Sequence, residues 1–180
     1  VEYGYDGYVV NGQYPKKSIY GYEDKGLSYI MTILNYEDIE EGVRNVNDKL
    51  KPILREYNYN GFFSTEIIRD KSGKDYLIDF TARNGSPPSE LYTTMMTNLG
   101  DVIYYGSIGE LIEPKYISNF GMQLKLHSEF ALKNYYNIYF DNSIRDNIFL
   151  PYSCKINDKY YIVPQEFCNN YVGSIVVYGE

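Results

Sequence analysis

Residues 36–57, YEDIEEGVRNVNDKLKPILREY, repeat apolar side chains at helical spacing. Ile39, Val43, Val46, Leu50 and Leu54 fall on one face, which predicts an amphipathic helix. Asn35 stands where an N-cap belongs, and Glu37 and Asp38 suit the positive end of the helix dipole. Pro52 inside the pattern is expected to kink or break it. Other stretches follow the period of two that marks strands. Residues 1–25 read as a β-hairpin, with Asn11-Gly12 between two β-prone runs. GFFSTEII (61–68) and DYLIDFTAR (75–83) read as two further strands joined by the Gly-containing turn RDKSGK. The second opens like a core strand, with Tyr76, Leu77, Ile78 and Phe80, yet holds Asp79 in its middle, and an uncompensated buried carboxylate is costly.

Ser86-Pro87-Pro88 predicts a helix start, with Ser86 as cap and proline in the first turn. That helix would carry Leu91, Met95 and Leu99 inward and stop at Gly100. A second short helix is expected from Asp101 to about Ile112. From Phe120 the pattern changes to short, turn-separated β-rich runs, which predict a small all-β unit. The boundary is placed near Pro114–Asn119, dividing the chain into residues 1–117 and 118–180. The fold class expected is α+β.

Composition narrows this picture. The 180 residues carry a net charge of −7 without a basic run, which argues against binding a nucleic-acid backbone. No stretch approaches the roughly 20 apolar residues of a membrane helix, and no signal-peptide pattern is visible. A cytoplasmic setting is expected, without nucleic-acid or membrane partners. Cys154 and Cys168 lie far from any CxxC or histidine cluster and read as reduced thiols. Tyrosine occurs 23 times, a bias that by itself points to packing. The chain starts at Val1 inside a strand pattern, so a piece of a longer protein is expected.

The candidate chemistry lies in the 61–83 hairpin. Leu77, Asp79, Thr81 and Arg83 share one strand face, as do Phe62, Ser64 and Glu66. Folding the hairpin about Ser72-Gly73 sets Glu66 opposite Asp79, Ser64 opposite Thr81 and Phe62 opposite Arg83, with a turn bulge able to shift this by one. Opposed acids repel. Three arrangements relieve them: a shared proton, exposure to water, or a cation between them such as Mg²⁺ with substrate phosphates. Arg83 adds a planar donor fork suited to phosphate or carboxylate, and the set suggests phosphoryl transfer.

GFFSTEIIRDKSGKDYLIDFTARNGSPPSE resembles the C-terminal core of the ATP-grasp ligases, within them most closely the phosphoribosylamine–glycine ligase branch. Glu66 stands at that family's first metal-binding Glu, Asp79 at its second acid, Arg83 at its Arg, Gly85 at its Gly, and Ser86-Pro87 at its Asp-Pro. Upstream, VEYGYDGYVVNGQYP is similar to the strand pair before the active-site loop, and YEDKG stands where the branch has a Gln-Asp-His-Lys-like segment. The likeness covers residues 1 to about 115, and the β-rich tail matches in position and style.

The resemblance implies an antiparallel ATP-grasp C-terminal subdomain with helices, followed by a small all-β domain. It implies ATP and Mg²⁺ (or Mn²⁺) as cofactors, with Glu66, Asp79 and Thr81 as metal ligands and Arg83 as the catalytic cation on the transferred phosphoryl group. Lys25, Asn84, Gly85 and Ser86 would bind nucleotide or substrate, and the helix start at 86–88 would accept an anion. Small-molecule carboxylate and amine substrates and an N-terminal half of the same chain are the implied partners. Thr81 replaces the family's metal-binding Asn and is a weaker ligand. The family's Lys-bearing subdomain is not matched by these residues, so the stretch alone is expected to be inactive. The functions in contention are a carboxylate–amine ligase in purine biosynthesis, a non-catalytic ATP-grasp-derived binding or structural module of phage type, and a carboxylate-dyad hydrolase. His127 reads as structural.

Overall fold

The computed structural model describes residues 2–164 and 170–180, so Val1 and Cys168 lie outside the described residues. The chain runs β1 (Glu2–Val10), β2 (Lys17–Asp24), β3 (Ser28–Asn35), α1 (Glu41–Glu56), β4 (Asn60–Arg69), β5 (Asp75–Thr81), α2 (Ser89–Met95) and α3 (Leu99–Ser107). It continues through β6 (Phe120–His127), β7 (Tyr136–Ile138), β8 (Ile148–Phe149), β9 (Ser153–Ile156), β10 (Lys159–Ile162) and β11 (Tyr171–Gly179). One eight-stranded antiparallel sheet, ordered β5-β4-β1-β2-β3-β6-β11-β8, is joined by a three-stranded sheet, β7-β10-β9.

The first hairpin forms as its turn chemistry demands. Asn11 and Gly12 both take positive φ, 49° and 71°, and Val10 and Gln13 exchange backbone hydrogen bonds of 3.1 and 2.8 Å around them. Those angles are the left-handed pair of a type I′ turn, which Asn-Gly adopts readily. The chain then runs irregularly over residues 14–16 before β2 pairs with β1. The expected helix divides: a 3₁₀ turn at Tyr36–Asp38 precedes α1. Asn35 caps neither with its side chain, donating instead to Asp38 at 2.7 Å. Pro52 lies inside an unbroken α1, against expectation. Ile39, Val43 and Leu54 are buried under β1, β2 and β4 with Tyr3, Tyr5, Val9, Tyr20, Phe63 and Ile67, and Val46 and Leu50 pack at the margin.

The other sheet face is covered by α2, whose Leu91, Tyr92 and Met95 bury Ile19, Tyr29, Met31, Ile33 and Val176. Gly121 on β6 makes this close approach possible, since a Cβ there would stand 2.7 Å from Leu91 Cδ1 and from Met95 Sδ. Gln123, fully buried, accepts from the Leu91 amide (3.1 Å) and donates to Glu90 (2.6 Å), fixing the helix to β6.

Several expectations are corrected here. The helix after the proline pair begins at Ser89, not Ser86, has Pro88 at its N-cap without a side-chain cap bond, and ends at Met95. Leu99 and Gly100 belong to α3, which ends at Ser107 rather than near Ile112. The break is fixed by Met96 bridging to Tyr116 and by Thr97 donating to the Lys115 carbonyl at 2.7 Å. Strand β3, SYIMTILN, is an element the sequence reading passed over. The tail is β-rich as expected, but β6, β8 and β11 extend the main sheet from β3, and only β7, β9 and β10 form a separate sheet. Pairing β6 with β3 leaves the β3 edge no open ladder, so β6, β11 and β8 continue the main sheet.

β5 is the largest difference. It is not a core strand but the edge of the sheet, exposed along most of its length. Tyr76, Leu77, Ile78 and Phe80 are each 40–55% exposed. Asp79 therefore carries no burial penalty.

Candidate functional site

The β4–β5 register is the one folded from the turn. Glu66 faces Asp79 and Ser64 faces Thr81, with a bulge that lets Ile67 pair with Leu77. The ladder stops there, so Phe62 does not pair with Arg83; it pairs with Tyr8 of β1 on its other side. Asp70 closes the turn, accepting from Ser72 N (2.8 Å), Ser72 Oγ (2.6 Å) and Lys74 N (3.0 Å). These bonds hold its carboxyl below the ordinary range.

Following register partners across the sheet from Asp79 leads through Glu66, Gly4, Gly21 and Met31. Two pairs further along β1 and β2, Glu2 faces Glu23. The two glycines leave a shallow cleft on the α2 face, lined by Glu2, Glu23, Glu66, Asp6, Tyr29, Ser64 and Pro87. A Cβ on Gly21 would run into the Tyr29 hydroxyl, which crosses β2 at this point to donate to Asp6 on β1. Asp6 is buried, and burial pushes its carboxyl up to about 6 against the lowering hydrogen bonds from Tyr29 and Ser64. Gly85 packs directly over it, with space for a Cβ limited to 3.0 Å from Asp6 Oδ1.

At the mouth of the cleft the carboxylates of Glu2, Glu23 and Glu66 converge, one oxygen of each lying within 4.8 Å of the others. Lys25, in the β2–β3 turn, extends its Nζ among them, 2.6 Å from Glu66, 3.0 Å from Glu2 and 4.0 Å from Glu23. Burial works against the ammonium, but hydrogen bonds to Glu66 and Glu2 outweigh it and hold Lys25 well above the usual lysine value. Burial, with Lys25 opposing it, pushes Glu23 up to about 7.

Of the residues chosen from sequence, Glu66 and Lys25 thus meet directly, and Asp79 and Thr81 are register partners beside them. Asp79 is not among the converging acids. Arg83 lies beyond the end of β5 and donates to the Asn84 carbonyl at 2.6 Å. Asn84 keeps a buried Oδ1 without a partner, while Ser86 Oγ lies 3.3 Å from Lys125 Nζ. Because α2 has only seven residues and begins at Ser89, residues 86–88 form no helix start for an anion. Glu2, Glu23, Asp6 and Tyr29 were missed. The period-two alternation of Glu2, Gly4 and Asp6 in EYGYDGYVV, and of Gly21 and Glu23 in IYGYED, was the available signal. His127 is held between Asn170 (2.8 Å) and the Gly26 carbonyl (2.9 Å), a structural placement. Cys154 is a free, exposed thiol.

The donor set fits a hard divalent cation. All the converging atoms are carboxylate oxygens, the ligand type that Mg²⁺ and Ca²⁺ take, and each lies within 4.8 Å of the other two. Among the described residues, no helix is long and apolar enough to cross a membrane.

No family model and no curated protein matches the chain. Solved structures do. Phosphoribosylamine–glycine ligase from Thermotoga maritima superimposes with a TM-score of 0.68 at 15% identity, over 100% of this chain and 48% of that one. N5-carboxyaminoimidazole ribonucleotide synthetase from the same organism gives 0.57 at 14%, over 99% and 46%. The biotin carboxylase domain of Hydrogenobacter thermophilus 2-oxoglutarate carboxylase, solved with MgADP, ADP and bicarbonate, gives 0.57 at 12%, over 99% and 41%. The chain spans under half the length of each of these proteins. Its sheet, helices and connections are therefore those of the C-terminal part of the ATP-grasp ligase fold.

Proposed function

We propose that the chain is the C-terminal part of an ATP- and Mg²⁺-dependent carboxylate–amine ligase of the phosphoribosylamine–glycine ligase type. The observation that carries this reading is the β4–β5 hairpin, where Glu66 and Asp79 oppose each other with Thr81 next on the same face, on the ATP-grasp fold. In such a reaction ATP phosphorylates a carboxylate to an acyl phosphate, and an amine then displaces phosphate to form the C–N bond. The protein's part is positioning and charge neutralisation. Glu66 and Asp79, with Thr81 as a weaker ligand, would hold Mg²⁺, which when bound supplies neutralisation of phosphate charge. Arg83, once released from the Asn84 carbonyl, offers a guanidinium fork to the transferred group. The unpartnered Oδ1 of Asn84 offers an acceptor to a substrate N–H or O–H. Residues 1–117 would supply these groups and 118–180 the small terminal unit, with an N-terminal half enclosing the nucleotide.

A second reading is a non-catalytic module on the same fold. Thr81 in place of the family Asn, and the Lys25 ammonium already on Glu66, favour it.

Titration of ATP into the intact polypeptide, with and without Mg²⁺, separates the two. The ligase reading expects Mg²⁺-dependent binding that Asp79→Asn abolishes. Binding unchanged by the substitution overturns the metal assignment, and absence of ATP binding favours the module.

A further inference from the structure

The three converging carboxylates, with one oxygen of each within 4.8 Å of the others, repel one another. The cation in contact with all three is Lys25, while Lys125 acts on Glu23 from farther off. Every ion pair recorded for Glu2, Glu23 and Glu66 among the described residues is made by Lys25. The cations on the opposite face are committed elsewhere: Arg69 pairs with Glu40 at 2.6 Å and with Asp75 at 2.7 Å.

We propose that Lys25 is the exchangeable resident cation of the Glu2–Glu23–Glu66 group, which a divalent metal displaces when it binds Glu66. This rests on the ligase reading above and adds to it a residue that competes with the metal. Ammonium and metal cannot share the site. Mg²⁺ takes its ligands at about 2.0–2.1 Å, and Lys25 Nζ already lies 2.6 Å from Glu66 Oε2. Occupancy by both would hold like charges within about 4 Å.

Lys25 is also built to leave. It lies in a tight turn closed by Leu27 N donating to the Asp24 carbonyl at 2.9 Å, with Gly26 at φ 75°. Its side chain is 61% exposed on a flexible four-carbon stem. The ammonium end is open to water and can swing away, whereas the carboxylates, 9–20% exposed, stay in place. After exchange, Lys25 is free at the cleft mouth to meet nucleotide phosphate. The group carries three carboxylates against one ammonium, a surplus of negative charge that suits a doubly charged replacement.

The test is Mn²⁺ binding to the intact polypeptide without nucleotide, followed by electron paramagnetic resonance, for the wild type, Lys25→Met, Glu66→Gln and the double variant. Lys25→Met is expected to bind Mn²⁺ at least ten-fold more tightly than wild type, and Glu66→Gln to remove binding in either background. Added Mn²⁺ should raise the melting temperature of Lys25→Met more than that of the wild type. If Lys25→Met does not fold, Lys25→Gln removes the same charge and takes its place. Equal or weaker Mn²⁺ binding by the lysine variant, with Glu66→Gln still abolishing it, overturns the exchange and leaves the metal assignment standing. No binding by any variant, or binding indifferent to Glu66, overturns both.

Discussion

Strands β1 and β5 both pair with β4, one on each side, and they reverse what their compositions suggest. β1 reads EYGYDGYVV, with two acids and two glycines, and is buried at eight of its nine positions. β5 reads DYLIDFT, rich in large apolar residues, and is mostly exposed. What separates them is place in the sheet. β1 is third from the edge, with α1 over one face and, on the other, Met96 and Val102 of the α3 region against Tyr8 and Val10 and Gly85 over Asp6, so even Asp6 is enclosed. β5 is the edge itself, and α1 touches it only at its first residue, where Gly42 lies against the Asp75 carboxylate. The costly carboxylate that Asp79 seemed to pose is real, but it belongs to Asp6, where Tyr29 and Ser64 satisfy it.

The most forceful way to break this contrast is to truncate an aromatic beside each acid. Tyr29→Ala removes a buried ring and the donor to Asp6, and should cost about 3–5 kcal/mol in urea unfolding, as large aromatic truncations do. Tyr76→Ala, on a side chain 45% exposed, should cost far less. Losses of equal size would show that β5 is as deeply packed as the Tyr29–Asp6 contact between β3 and β1.

A smaller effect, of about 3 kcal/mol at most, tests Asp6 alone. Its carboxyl rises from 3.8 to about 6, chiefly through burial, and a two-unit shift corresponds to about that energy. The folded state therefore holds the proton more tightly than the unfolded chain. Asp6's stabilising contribution is complete below about pH 4 and is lost as pH rises through about 6. Glu23, raised from 4.5 to about 7, acts in the same direction one pH unit higher. Asp70, Asp75 and Asp141 are held low, and their contributions are lost only as pH falls through the acid range. Urea midpoints between pH 4.5 and 8 should thus decline, and Asp6→Asn should remove the smaller part of the decline, which ends near pH 6, and leave the Glu23 part, which runs on to about pH 7. A flat wild-type profile would mean that Asp6 is not desolvated.

Local chemistry was legible in the sequence where it determined structure by itself. The Asn11-Gly12 turn, the apolar face of α1 and the Glu66–Asp79 register all follow from turn type and periodicity. What a residue faces across the sheet was not legible, because that depends on strand order. Glu2, Glu23 and Glu66 are 64 residues apart at their extremes and meet only because β1 lies between β2 and β4. β3 went unread although Tyr29, Met31 and Ile33 alternate cleanly with Ile30, Thr32 and Leu34. Its missing place hid both the Tyr29–Asp6 contact and the edge that β6 occupies. The continuity of α1 through Pro52 shows the same limit, since Leu50 and Leu54 on either side pack into one core cluster and outweigh a local breaking tendency.

The mildest change sharpens the contrast most. Ile78→Thr keeps a β-branched side chain on β5 and removes apolar surface from a position 45% exposed. If the edge is open to water, stability should move by no more than about 0.5 kcal/mol, the usual range for surface sites. A loss above about 1 kcal/mol in the intact polypeptide, measured by urea unfolding, would mean that Ile78 is covered there. An edge strand with four large apolar side chains and no lysine or proline within Asp75–Thr81 has Asp79 and the β4–β5 bulge as its devices against strand pairing. Such a strand stays in solution by being covered or by low concentration. The size of the Ile78→Thr effect, followed against protein concentration, decides between these: a loss that shrinks on dilution assigns the cover to another copy of the chain, and one that stays the same assigns it to the same polypeptide.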